Sequence, residues 1–162
     1  MLLAIDGPAG SGKTTLAAKL QSEYQSTLTV QVIHMDDLYN GWEHALSEEL
    51  TLKLSEIVQA HKAGKDFYIK RFNWITMEYG EAELIQSTKV LILEGVGAAQ
   101  KIVRDAGAQT YWIETPPEIG LQRVLDRDGY HLRDLMLIWQ SYQDVHFKVD
   151  KTAENCDVKL TS

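Results

Sequence analysis

At 162 residues, 44% of them hydrophobic and 24% charged, the chain has the size and composition of one domain with a proper core, and is neither low-complexity nor fibrous. Its formal net charge of −7 argues against a nucleic-acid backbone or an anionic membrane as main partner, and no apolar run approaches the roughly 20 residues that cross a bilayer. A single cysteine, Cys156, excludes an internal disulfide and fits a reducing cytoplasm.

The run Leu2-Leu3-Ala4-Ile5-Asp6 is short and apolar, as a buried parallel strand should be. The N-terminus enters it directly, so no signal peptide is expected. Gly7-Pro8-Ala9-Gly10-Ser11-Gly12-Lys13-Thr14 follows and matches G-x-x-x-x-G-K-[ST] at every fixed position. Thr15 to Leu20 then carries helix formers with apolar residues at helical spacing. In this strand–loop–helix setting the glycines let backbone N–H groups turn inward around a phosphate. The helix N-terminus points its positive dipole end at the same anion. Lys13 adds a mobile charge for the outer phosphates, and the Thr14 hydroxyl is placed to ligate Mg²⁺. The expected nucleotide cradle is Gly7, Ala9, Gly10, Ser11, Gly12, Lys13, Thr14 and Thr15, holding ATP with Mg²⁺.

A second strand is expected over Leu28–His34, ending at Met35-Asp36-Asp37. A helix over about Ser47–His61 places Leu50, Leu54, Ile57 and Val58 on one face, with Ala63-Gly64-Lys65 stopping it. Phe67-Tyr68-Ile69 reads as a short edge strand in a hairpin, and Lys89–Glu94 as a buried strand. Thr110–Ile113 is another strand, and Thr115-Pro116-Pro117-Glu118 opens a helix in the capping-box pattern. A further helix over about Gly129–Phe147 puts Leu132, Leu135, Met136, Trp139 and Tyr142 on one side. Asp157–Leu160 closes the chain as a last strand, with Cys156 expected as a small buried residue on it. This alternation predicts an α/β fold, a parallel sheet of about five strands with helices on both faces.

Ligands of such sheets sit beyond the carboxyl ends of the strands. Three ends carry acids or glycine: Asp6 with the phosphate loop, Asp36-Asp37-Leu38-Tyr39, and Glu94-Gly95-Val96-Gly97. If those strands are neighbours, their carboxylates converge on a γ-phosphate and its metal. Phosphoryl transfer needs positioning, charge neutralisation and a carboxylate to orient the incoming hydroxyl. Asp36 or Asp37 could be that carboxylate; Asp36 is preferred for its place beside the loop, and with Thr14 it is also an expected Mg²⁺ ligand, Glu94 helping to hold the ion through water. Arg127, and Arg123 one turn earlier, suit stabilisation of charge on the transferring group. Trp42, Phe72 and Trp74 could line an acceptor pocket, although aromatics near a loop are more often packing. Trp139 reads as core, and the five histidines show no metal-ligand spacing.

The phosphate loop after the first strand, Asp36-Asp37-Leu38-Tyr39 after the second and Leu91-Ile92-Leu93-Glu94-Gly95 at the third together resemble uridine kinase and its relatives, in the nucleoside and nucleoside-monophosphate kinase group of P-loop folds. The resemblance covers most of the chain. It implies a three-layer P-loop NTPase fold over residues 1–162, with an acceptor-side insertion at about 38–88 and a lid at about 123–133. It implies that Asp36 is the general base for an acceptor hydroxyl and that the chain is an ATP-dependent kinase of a small molecule. The family's Asp-x-Phe-Tyr pattern puts Tyr39 beside the substrate, and its Tyr-Asp-Phe wall resembles Phe72-Asn73-Trp74. The lid form Arg-x-x-x-Arg-Asp resembles Arg123-Val124-Leu125-Asp126-Arg127-Asp128. Two places depart: Asn40-Gly41-Trp42-Glu43-His44 lacks the family's ribose-gripping aspartate, and Asn73 stands where relatives carry aspartate. The acceptor therefore stays open among a nucleoside, a nucleoside monophosphate, a sugar acid and a vitamin precursor, beside a purely nucleotide-binding regulator. A signalling GTPase is excluded by the lack of an Asn-Lys-x-Asp guanine motif.

Overall fold

Strands that are apolar on both faces can hide only between two layers of helices, and the chain obeys this. A computed structural model describes residues 1–162. In chain order the elements are β1 (Leu2–Asp6), α1 (Lys13–Gln25), β2 (Val30–His34), a 3-10 turn over Met35–Asp37, α2 (Glu48–Lys62), β3 (Phe67–Asn73), β4 (Glu78–Ile85) and β5 (Val90–Glu94). There follow α3 (Lys101–Asp105), β6 (Gln109–Glu114), α4 (Pro117–Asp128), a 3-10 turn over Tyr130–Leu132, α5 (Arg133–Asp150), α6 (Thr152–Asn155) and β7 (Val158–Thr161).

Five strands form one parallel sheet in the order β2-β5-β1-β6-β7. Every residue of β1 and β5 is buried. Alternate side chains serve opposite layers: Leu3, Ile5, Val90 and Ile92 pack with Ala17 and Leu20 of α1. Leu2, Ala4, Leu91 and Leu93 pack in the larger core with Leu54 of α2, Val103 of α3 and Trp139 of α5. Each such side chain contributes about 1.5–3 kcal/mol by leaving water, so the central β1–β5 pair anchors the sheet.

Several expectations change. β5, not β2, is hydrogen-bonded to β1, so Asp36 follows a strand one place removed from the phosphate loop. β2 starts at Val30 because the amides of Thr27 and Leu28 still close the end of α1 on the Tyr24 carbonyl. Phe67–Ile69 lies in a hairpin as expected, but the hairpin does not join the main sheet. The segment belongs to a longer strand, β3, that pairs antiparallel with β4 in a separate two-stranded ribbon. The expected capping box does not form: Pro116 is the N-cap residue of α4, and Thr115 shares its hydroxyl with Ser162 at 2.7 Å. The helix expected from Gly129 begins at Arg133, after the positive φ of Gly129 and a 3-10 turn. It buries Met136, Trp139 and Gln143 and leaves Tyr142 40% exposed. Cys156 is buried as expected but precedes β7, and burial pushes its thiol up to about 11.

Candidate active site

The register of the sheet brings the strand ends together, since Ile5 of β1 and His34 of β2 both pair with Glu94 of β5. Asp6 is fully buried at this row. Its carboxylate accepts the amides of Gly7 at 2.8 Å, Gly97 at 3.0 Å and Ala99 at 2.8 Å. It thus ties the loop after β1 to the loop after β5. Burial holds its pKa above the usual carboxylate range.

In the phosphate loop the amides of Gly10, Gly12, Lys13, Thr14 and Thr15 bond to nothing else in the chain. Unpaired N–H groups around a helix start are an anion site. Other parts of the chain fix the loop from outside. The Ala9 amide donates to Gln143 Oε1 of α5 at 3.0 Å. The helix α4 lies hard against Gly10, where a Cβ would stand 2.2 Å from the Gly120 carbonyl oxygen. Only glycine on both sides permits that approach. Lys13 is buried, its Nζ donating to the Pro8 carbonyl at 2.7 Å and to Ser11 Oγ at 3.4 Å. Burial lowers its pKa while Asp6, Glu94 and Asp36 pull it back up.

The Thr14 hydroxyl donates to Glu94 at 3.2 Å and 3.4 Å to its two oxygens. Glu94 is also paired with His34 Nδ1, and that contact raises the imidazole pKa. The two adjacent acids separate. Asp37 is ion-paired to Arg71, whose Nε also donates to Glu83 at 2.7 Å. The Asp36 side chain is solvent-accessible and unpaired. Enclosure at the strand ends and the neighbouring Glu94 charge raise its pKa, against the pull of Lys13, Arg127 and His34. Arg127 is bound to Asp128 at 2.8 and 2.7 Å while its charge acts on Asp36 and Glu94. Arg123 differs: its Nη1 donates to the Gly10 carbonyl at 3.2 Å and to Ser162 Oγ at 2.9 Å. The expected lid arginine thus braces the back of the loop.

The aromatic residues expected to meet substrate are one packed cluster. Trp74 stands 5.0 Å from both Trp42 and Phe72 by ring centroids, and Trp42 is 5.9 Å from Trp139. Tyr39 is 2% exposed and donates its hydroxyl to the Val96 carbonyl at 2.7 Å, so it is a core residue and not a substrate contact. Phe72 is likewise buried. Trp42 and Trp74 remain half-buried, and Trp74 Nε1 donates to the Asp36 carbonyl at 3.0 Å, fixing the ribbon over the acid. Asn73 is consumed in the turn of the ribbon, its Oδ1 accepting the amides of Ile75 at 2.9 Å and Thr76 at 3.2 Å. A cleft of about 750 Å³ lies between α2, α3 and α5 and includes none of Lys13, Asp36 or Arg127. It is therefore not where transfer would occur.

Sequence reasoning missed Gln143 and Gly120 as parts of this site, and it expected Asp6 to face the phosphate where the structure buries it as a tie between two loops. A polar residue on the apolar stripe of α5 and a glycine inside α4 were the available signals.

A model of the AAA domain family matches residues 3–134. None of the curated proteins matches the chain. Among solved structures, a possible uridine kinase from Bacillus stearothermophilus aligns over 99% of this chain and 88% of its own, at 19% identity and a TM-score of 0.68. A putative fructose transport system kinase from Silicibacter sp. aligns over 98% and 88%, at 19% identity and TM-score 0.69. Shikimate kinase from Bacteroides thetaiotaomicron aligns over 99% and 85%, at 15% identity and TM-score 0.56. The shared feature is the α/β fold of P-loop kinases.

Proposed function

We propose that this chain, which belongs to the AAA domain family, is an ATP-dependent kinase that transfers the γ-phosphoryl group to a hydroxyl of a small molecule, with a nucleoside as the leading acceptor class. The observation that carries the reading is the pair of functions at one strand-end row. The free amides after Gly10 offer an anion cradle, and Asp36, left unpaired while Asp37 binds Arg71, lies within the field of Lys13 and Arg127. A plain nucleotide binder needs only the cradle.

The geometry supports the following division of work. The cradle amides and Lys13 hold the phosphates, and Lys13 exchanges its contact with Pro8 for them. Asp36 accepts the proton of, or orients, the acceptor hydroxyl. Arg127 stabilises charge on the transferring group. Thr14 and Glu94 present a hydroxyl beside a carboxylate, a hard oxygen pair that suits Mg²⁺. When bound, Mg²⁺ would neutralise phosphate charge there.

Two features bear on the acceptor. A monophosphate acceptor calls for a free arginine, and Arg71 is already bound to Asp37 and Glu83, which favours an uncharged acceptor. The likeness in fold to proteins described as uridine, fructose transport system and shikimate kinases keeps nucleosides, sugars and sugar acids in the test. The experiment is ADP release by the purified chain with MgATP against nucleosides, nucleotides, sugars, sugar acids and vitamin precursors. A nucleoside that stimulates ADP release, with Lys13→Ala inert, is expected. MgATP binding without acceptor-dependent release anywhere in the panel would return the chain to a non-catalytic binder.

A further inference from the structure

The helix α5 has a second apolar stripe that nothing in the chain covers. Ile138, Tyr142, Val145 and Val149 are 50%, 40%, 62% and 80% exposed, and half-buried Leu135 extends the row. Their spacing of three and four residues is that of a seam between two helices. It lies beside, not on, the face that buries Met136, Trp139 and Gln143. A monomer seldom leaves such a row in water.

We infer that α5 is the self-association surface of this protein, packing antiparallel against α5 of a second copy about a two-fold axis. Charge selects that partner and that orientation. Asp134 and Lys148 flank the stripe on the same side, seven residues before and seven after Ser141. Both are exposed, and neither is ion-paired within the chain. With the axis near Ser141, each Asp134 meets the other copy's Lys148, and Ile138 meets the other copy's Tyr142. A parallel pair would instead put the Asp134 and Lys148 of the two copies on opposite edges of the seam, where neither charge meets its opposite. The surface also has room. The helix is about 27 Å long, and Tyr142, Val145 and Val149 form one wall of the 750 Å³ cleft whose far side carries Leu46 and Ile102. A helix seated along the stripe covers that wall as well, adding to the area toward the roughly 1,200 Å² that a stable interface needs.

The test is light scattering after gel filtration of the full chain at tens of micromolar. The wild type should run at about twice its 18.3 kDa, and Val145→Asp at the monomer mass. Lys148→Asp should raise the dimer dissociation constant at least about tenfold, because two symmetry-related pairs become repulsive. Adding Asp134→Lys to Lys148→Asp should restore the dimer. The positions are exposed, and a retained MgATP-induced rise in melting temperature verifies the fold of each variant. A monomeric wild type, or a dimer indifferent to both Val145→Asp and the charge reversal, would overturn the inference.

Discussion

Asp36 and Asp37 are neighbours in sequence with opposite surroundings, and that contrast yields the sharpest test. Asp37 spends its charge on Arg71; Asp36 has no such partner. Asp36→Asn should keep MgATP affinity and cut phosphoryl transfer about a hundredfold or more, whereas Asp37→Asn should do much less. Turnover and nucleotide titration of both variants distinguish them; a larger loss at Asp37 would reverse the assignment. The same residue predicts a pH effect. A carboxyl whose folded pKa is raised above its unfolded value costs stability once it ionises, so the cost is present at neutral pH and vanishes as pH falls below the unfolded pKa. Without nucleotide, Asp36→Asn should therefore melt about one or two degrees higher than wild type at pH 7.5, with the gap closing toward pH 3.5. An equal or lower melting temperature at pH 7.5 would contradict it. Arg127→Ala should depress turnover far more than MgATP affinity, because its charge is needed as the phosphoryl group leaves. Parallel losses in both would place Arg127 with the binding residues.

At the scale of elements, the loop is held in shape by helices remote in sequence. α4 touches it through Gly120, and α5 through Gln143. A Cβ on Gly120 would stand 2.5 Å from the Ala9 carbonyl oxygen, so Gly120→Ala must push α4 off the loop. The expected cost is about 1–3 kcal/mol of stability with weakened MgATP binding, read by denaturant unfolding and nucleotide titration. A variant with wild-type affinity would mean that the loop does not depend on α4. Much of this level was open to sequence reading. The apolar run of β5 and the helical stripe of α2 fell in place because period and burial are local properties. The hairpin at Phe67 was legible too, but its separation from the main sheet was not, because which sheet a hairpin joins is a long-range matter. The break at Gly129 also escaped, since a positive φ there outweighs the helical pattern on either side.

For the whole molecule, the consequence is nucleotide linkage. A ligand at a hundred times its dissociation constant stabilises the fold by about 2.7 kcal/mol, which for this size raises the melting temperature by about 5–10 °C. MgATP should produce a shift of that order in the wild type and almost none in Lys13→Ala. An undiminished shift in the variant would remove the phosphate-loop reading. No helix is long and apolar enough to cross a membrane.

The sequence by itself determined the strand–loop–helix that cradles phosphate, because the glycines, the lysine and the hydroxyl act over eight consecutive residues. It also determined the alternation that makes a parallel sheet, since hydrophobic period is read residue by residue. Tertiary structure alone decided which acid stands free, because the partner of Asp37 comes from Arg71, 34 residues away. It decided that Tyr39 and Phe72 belong to the core while Trp42 and Trp74 reach the surface. It placed Arg123 behind the loop on the carbonyl of Gly10. These outcomes depend on which side chains compete for the same space and the same charge, and that competition exists only once distant segments have met.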